Sequence, residues 1–235
     1  MKISIVIPAY NEEKYIGECI EHCLRHAQGA EIIVVDNAST DKTSIVAKSY
    51  KGVRVLQEKI KGVNFARQTG IANASGDIVA FVDADSRMPF GWLDKAKAAF
   101  EKDRNLVLLS GPYIYYDQGE VGQFFVELFW WLLGVPAYLM FGYLAIGGNC
   151  IARKDALELS GGFDPGISFY GDDADFARRL YEVGNVKFSM NFYMYSSARR
   201  LSKDGAIMSA LIYILNYVSV VFTHQPRTLN HRDIR

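Results

Sequence analysis

Net charge is the first thing this chain lacks: 26 Lys and Arg residues balance 26 Asp and Glu residues. A zero balance argues against a general nucleic-acid binder, which carries a basic excess, although it leaves room for a local basic patch. Cysteine is scarce, an odd set of three (Cys19, Cys23 and Cys150) with no metal-ligand pairing. Cys19 and Cys23 sit four apart in a helical pattern and so share one helix face. All three read as buried, reduced thiols, which fits a cytoplasmic compartment. No signal peptide is evident: residues 1–8 form too short an apolar run, lack a small-residue cleavage site, and read as a first strand. No stretch of 18 residues is free of polar interruption, but residues 122–148 and 207–222 come close. Internal repeats and low-complexity segments are also missing.

What is there is an alternation. Residues 3–7, 31–35, 53–56 and 78–82 are short β-branched runs, as expected of strands buried on both faces of a parallel sheet. Helical patterns lie between them. Residues 12–26 place Tyr15, Ile16, Cys19, Ile20, Cys23 and Leu24 at a period near 3.6. Ser39 is positioned to cap a helix over residues 40–50. Residues 62–74 make another helix, ended by Ser75-Gly76. This order implies right-handed crossovers and a doubly wound sheet, with ligands beyond the C-terminal strand ends. Polar motifs fall there: residues 8–12 after the first strand, Asp36-Asn37 after the second and Asp83-Ala84-Asp85 after the fourth. A helix to about Lys102 and a strand over residues 106–110 follow. The alternation then breaks into an aromatic-rich helical insert over residues 120–146. A helix over 172–182, a strand-like segment over 186–195, an apolar helix over 206–222 and a polar tail complete the chain.

Asp83-Ala84-Asp85 follows a wholly apolar strand. Two unpaired carboxylates there would repel, and one would be driven to protonate. A hard divalent cation relieves this, since Mg²⁺ or Mn²⁺ takes carboxylate and phosphate oxygens together and draws charge off a diphosphate leaving group. The alternative is a plain loop in which Asp85 caps the turn into Pro89.

The wider context carries a resemblance. Residues 5–13, residues 34–41 and Asp83-Ala84-Asp85 stand at the spacing seen in family-2 glycosyltransferases of the GT-A fold. Lys61-Gly62, Ala66-Arg67 and Gly70 also match, as do Gly161-Gly162-Phe163-Asp164 and Gly171-Asp172-Asp173-Ala174-Asp175. Over roughly residues 3–200 the chain resembles that family. The resemblance implies an α/β fold: a GT-A-like (Rossmann-like) doubly wound mixed sheet flanked by helices, with C-terminal helical segments suited to a membrane interface. Residues 1–110 would be the nucleotide-sugar-binding half of one domain and 111–200 its acceptor-binding and catalytic half, with an apolar helix and tail over 201–235.

It also implies an enzyme of the hexosyltransferase class, inverting and dependent on Mn²⁺ or Mg²⁺. Pro8, Tyr10 and Glu12 would line the nucleoside pocket, and Asp36 would hydrogen-bond the base or ribose. Arg67 and Lys61 would face the ribose or phosphates. Asp83 and Ala84 would contact the ribose side, and Asp85 would be the main metal ligand. Asp173 aligns with the catalytic base; Asp172 stands where the family usually has Glu, a mild departure. Gly148 and Asn149 would lie beside acceptor or donor sugar, and Arg199 and Arg200 could supply cations to a diphosphate. Bland readings stand beside these: an Asx turn at Asp36, a solvated Lys61, a tight turn at Gly147-Gly148-Asn149, and an Asp175–Arg179 pair on one helix face.

The expected partners are a UDP- or GDP-linked sugar donor and a glycan or polyprenyl-lipid acceptor, with no nucleic acid. The aromatic insert and the last apolar helix leave two readings open. One is a peripheral contact at the cytoplasmic face of a membrane, admitting a lipid-linked acceptor. The other is a helical subdomain packed on itself or at a homodimer interface. The 16 residues of 207–222 span only about 24 Å of helix, short of a hydrocarbon core. Two other functions are weighed. A nucleotidyltransferase usually carries a Gly-rich basic loop after its first strand, where this chain is acidic and glycine-free. A sugar-nucleotide-binding or scaffold protein would not need both Asp85 and Asp173.

Overall fold

Strands form where the apolar runs lie. A computed structural model describes residues 1–167 and 170–227; residues 228–235, most of the expected tail, lie outside that range. The strands are β1 (Ile3–Ala9), β2 (Glu31–Asn37), β3 (Val53–Glu58), β4 (Ile78–Val82), β5 (Leu106–Ser110), β6 (Tyr113–Tyr115), β7 (Asn149–Arg153), β8 (Asn185–Phe188) and β9 (Met194–Ser196). Seven of them form one sheet in the order β3-β2-β1-β4-β7-β5-β8, and β6 pairs with β9 in a small second sheet. Every pair in the large sheet is parallel except those made by β7, which runs antiparallel to β4 and β5. The expected mixed, doubly wound sheet is therefore present.

Side-chain alternation sends each strand into two cores. Ile5 and Ile7 face one side and pack with α1 (Ile16–His26) and with Trp92, Leu93, Ala96 and Phe100 of α4 (Trp92–Lys102). Val6, Ile33 and Val35 face the other, against Ala66 and Ile71 of α3 (Val63–Asn73) and Phe176, Ala177 and Leu180 of α8 (Asp172–Tyr181). The shared face expected of Cys19 and Cys23 points into the first core, and all three cysteines are free and buried.

Three local expectations need correction. Helix α2 runs over Thr43–Lys48, and Ser39 does not cap it. The Ser39 hydroxyl accepts the Asn11 N–H, while Asp41 accepts the Thr43 N–H and hydroxyl. The strand-like 186–195 is two strands in different sheets, β8 and β9. The insert is helical only to residue 141: α5 (Glu120–Phe129), a π-helical turn (Trp130–Gly134) and α6 (Val135–Phe141) form one continuous rod. Helix α7 (Lys154–Ser160) follows β7. At the C-terminal end α9 (Arg199–Asp204) leads into α10 (Ala206–Thr223). Tyr217 of α10 donates to the Tyr143 carbonyl, and Phe141 meets the rings of Tyr217 and Phe222.

The reversed strand β7 matters for the site. Its first residue pairs with the last of β4 (Val82 with Asn149), so the loop before β7 arrives beside the loop after β4. Gly148 thereby stands against Asp83, and Gly147 against Asp173 and Arg67.

Candidate active site

Three loops at the C-terminal ends of β1, β2 and β4 meet the start of α8. Two of these loops carry left-handed residues without being glycine, Asn11 (φ 53°) and Ala38 (φ 59°). Such strain persists only where surrounding contacts enforce it. The contacts are present: the Asn11 side-chain oxygen accepts the Thr40 N–H, and the Asp36 carboxylate accepts the Ser39 N–H at 3.2 Å and Gln57 Nε2 at 2.9 Å. Asp36 bonds the backbone three residues on, one further than an Asx turn would, and is a buried, well-held carboxylate at a strand end. Lys61 donates to the Tyr10 hydroxyl at 2.9 Å and lies 4.1 Å over its ring, so these two residues share one wall. Pro8 is buried within β1 and Ala84 is buried just beyond β4.

The centre of the site is Arg67. Its guanidinium is buried on α3 and donates to Asp172 at 3.0 Å. It lies 3.6 Å from Asp83 and 3.7 Å from Asp173, over the Phe163 ring at 4.5 Å. Phe163 in turn stacks on Phe176 at 3.9 Å. Burial alone would lower the Arg67 pKa, but the carboxylates of Asp173, Asp172 and Asp83 outweigh it and hold the residue charged. Arg67 therefore does not stand open toward a ribose or phosphate, as expected of it; it serves as the common counter-ion of three carboxylates.

Asp172 and Asp173 occupy the first turn of α8, where the helix dipole favours negative charge. Burial nonetheless pushes the Asp173 carboxyl up to about 7, with the adjacent Asp172 adding to the rise and Arg67 opposing it. Burial raises Asp172 too, again opposed by Arg67. A quarter of the Asp173 side chain reaches the surface, whereas Asp172 is closed in. A partly open carboxyl that titrates near neutrality is suited to accept a proton. Asp175, by contrast, is bound to Arg178 at 3.2 Å and Arg179 at 2.8 Å, a structural pair within one helix.

Gly147 and Gly148 permit this closeness. A Cβ at residue 147 would lie 2.2 Å from Asp173 Oδ1, and one at residue 148 would lie 2.1 Å from the Tyr113 hydroxyl and 2.2 Å from Asp83 Cγ. Asn149 was expected beside a sugar; its side chain is instead fully buried. It accepts from Trp92 Nε1 at 2.9 Å and donates to the carbonyls of Gly111, Pro112 and Phe192. It pins the loops behind the site.

Asp83 accepts from the Tyr113 hydroxyl at 2.8 Å, and the Asp85 carbonyl accepts from Tyr116 at 3.3 Å. The Asp85 carboxylate meets Arg199 at 2.9 Å, and Arg199 also donates to the buried Glu12 and lies over Tyr15. Arg200 stands near Tyr115 and Tyr213. Glu12, assigned above to the nucleoside pocket, is thus a partner of Arg199. Tyr113 and Tyr116 had no motif to mark them; their only sequence signal is an aromatic cluster directly after the β5 run.

The fit of a divalent ion can be judged from the donor set. Asp83 and Asp85 offer hard carboxylate oxygens, and Asp85 already holds a cationic group. Among the described residues no three His, Cys, Asp or Glu side chains form a closed metal cluster. The residues therefore fit a cation held partly by the protein and partly by an anionic ligand.

Residues 4–159 match the family model described as Glycosyl transferase family 2. The chain belongs to glycosyltransferase family 2. Among curated relatives, it is 35% identical over 130 residues to glycosyltransferase GlyG of Streptococcus pneumoniae, a match covering 52% of this chain and 42% of GlyG. It is 22% identical over 200 residues to the glucosyl-dolichyl phosphate glucuronosyltransferase of Haloferax volcanii, covering 77% of this chain and 64% of that one. The match thus spans less than two thirds of either relative. Among solved structures, the mannosyltransferase PcManGT of Pyrobaculum calidifontis, in complex with GDP-Man and Mn²⁺, has a TM-score of 0.71 at 20% identity, covering 95% of this chain and 63% of that one. That likeness establishes the GT-A-type sheet of this family-2 glycosyltransferase.

Proposed function

We propose that this chain moves a sugar, with inversion, from a UDP- or GDP-linked donor to a hydroxyl or phosphate acceptor carried on a lipid. The observation that carries the reading is the single guanidinium of Arg67, which stands between Asp83 on the donor side and Asp173 at α8. Donor and base are thereby held in one frame. Asp36, Tyr10 and Lys61 bind the nucleoside. Asp85, with Asp83 beside it, holds Mn²⁺ or Mg²⁺, which when bound draws charge off the diphosphate leaving group. Asp173 takes the acceptor's proton as the acceptor oxygen attacks the anomeric carbon opposite the diphosphate. Gly147 and Gly148 let Asp173 and Asp83 close against the backbone beside the sugar.

The acceptor class is supported by the rod over Glu120–Phe141. Phe124, Phe125, Trp131, Leu132, Leu139 and Met140 are each more than half exposed on it. The rod is long and apolar enough to cross a membrane, about 33 Å at 22 residues. Its connections favour lying in the membrane plane. It leaves the small sheet after Tyr115 and returns to β7 at Asn149, and Tyr143, Leu144 and Ala145 on the return path are buried. Helix α10 beside it exposes Leu211, Leu215, Val218 and Phe222. Free, buried thiols suit the reducing cytoplasmic face of such a membrane. The Haloferax volcanii relative is named for an acceptor of this lipid-phosphate class.

The test is Asp173→Asn. Transfer should fall by about 10²–10⁴, while the dissociation constant for the sugar nucleotide stays within twofold of wild type. Unchanged transfer would remove Asp173 from the role of base.

A further inference from the structure

We infer that Arg199 is an internal counter-ion that a divalent cation must displace from Asp85, so that Mn²⁺ alone binds the resting protein weakly. The inference rests on the proposal that Asp85 is a metal ligand. One nitrogen of Arg199, Nη2, serves two carboxylates from the segments that follow β1 and β4: Asp85 Oδ2 at 2.9 Å and Glu12 Oε1. The guanidinium also lies over the Tyr15 ring at 4.6 Å. It therefore fills the side of Asp85 that looks toward β1.

The two bonds are not equivalent. Glu12 is 1% exposed, so losing its cationic partner would strand a buried carboxylate. Asp85 is more open, at 13%, and neighbours the half-open Asp83. Glu12 is thus the tether and Asp85 the releasable end. A metal ion that takes the Asp85 carboxylate meets a fixed positive charge within contact distance, and like charges at that range repel. Guanidinium and metal compete for the same oxygen. Released from Asp85 while still held by Glu12, the guanidinium lies next to the metal with donor capacity to spare. An anionic diphosphate arriving with the metal would satisfy both cations. Metal and sugar nucleotide then bind as a unit, and neither binds well alone.

The experiment measures free Mn²⁺ by electron paramagnetic resonance during titration of the protein without nucleotide. Removing Arg199 alone would strand Glu12, so the variant is Glu12→Gln with Arg199→Gln, its fold checked by circular dichroism melting. It should bind Mn²⁺ at least about tenfold more tightly than wild type, about 1.4 kcal/mol. Arg199→Lys keeps a cation for Glu12 but loses the planar guanidinium whose Nη2 also reaches Asp85; it should tighten Mn²⁺ binding by about threefold, and it stands in if the double variant fails to fold. Asp85→Asn should abolish binding. Folded Arg199 variants that bind Mn²⁺ no more tightly than wild type, while Asp85→Asn still abolishes binding, would overturn the inference and leave the metal assignment intact. Wild-type Mn²⁺ affinity in Asp85→Asn would overturn both.

Discussion

Asp173, the proposed base, sits where burial and two charged neighbours pull its ionisation in opposite directions. Burial and Asp172 favour the protonated form, while Arg67 favours the anion. The balance near 7 gives a pH dependence with a definite sign. A base must be ionised, so kcat/KM should rise with pH through about 7 and level above it, since that ratio reports groups of the free enzyme. A profile flat from pH 5.5 to 8 would count against Asp173. The same shift acts oppositely on stability. The folded carboxyl holds its proton above the usual value of about 3.9, so its stabilising contribution is complete below that value and is lost as pH rises through about 7. Arg67 has a separate test. Arg67→Met leaves Asp172 and Asp173 without their counter-ion, which should cost roughly 3–5 kcal/mol near neutral pH. Thermal unfolding should show a smaller loss at pH 5, where Asp173 is protonated. An equal loss at both pH values would mean that Arg67 contributes by packing on Phe163 rather than by charge.

Among the elements, the rod of α5, the π turn and α6 presents the largest apolar surface, and it begins four residues after the strand that carries Tyr113 and Tyr115. Helix α10 follows just after Arg199. The two apolar elements therefore lie close in sequence to the residues that bond Asp83 and Asp85, Tyr113 and Arg199. Replacing Phe124, Phe125, Trp131 and Leu132 together by Ser should abolish co-sedimentation with phospholipid vesicles and leave the far-ultraviolet circular dichroism unchanged. Vesicle binding equal to wild type would shift the apolar face to contact between protein chains. These elements also mark how far sequence reasoning reached. Parallel strands, their order of appearance and the polar strand ends were legible, because continuous apolar runs between helical patterns and crossover handedness are local rules. The reversal at β7 was not. It depends on which neighbours Asn149–Arg153 finds, and Asn149 looks in sequence like a ligand residue although its amide is spent on Trp92 and three carbonyls. The Ser39 cap failed for a similar reason, since Asn11 from another loop claims that hydroxyl.

At the scale of the whole molecule, carboxylates from β4, β1 and α8 gather around two guanidinium groups: Asp83, Asp172 and Asp173 on Arg67, Asp85 and Glu12 on Arg199. The sequence motifs named most of these acids, because strand ends in an α/β sheet converge on one crevice. The pairing of acids with arginines was hidden; Glu12 and Arg199 lie 187 residues apart, and only tertiary packing joins them. The proposed division of labour gives the donor's diphosphate to Asp85 and a cation, and the proton to Asp173. Its most direct test is nucleotide release from a panel of UDP- and GDP-sugars with Mn²⁺, with Mn²⁺ removed by EDTA, and with Asp85→Asn. The prediction is release from at least one donor that is lost both on adding EDTA and in Asp85→Asn. Release that continues undiminished under both conditions would contradict the account.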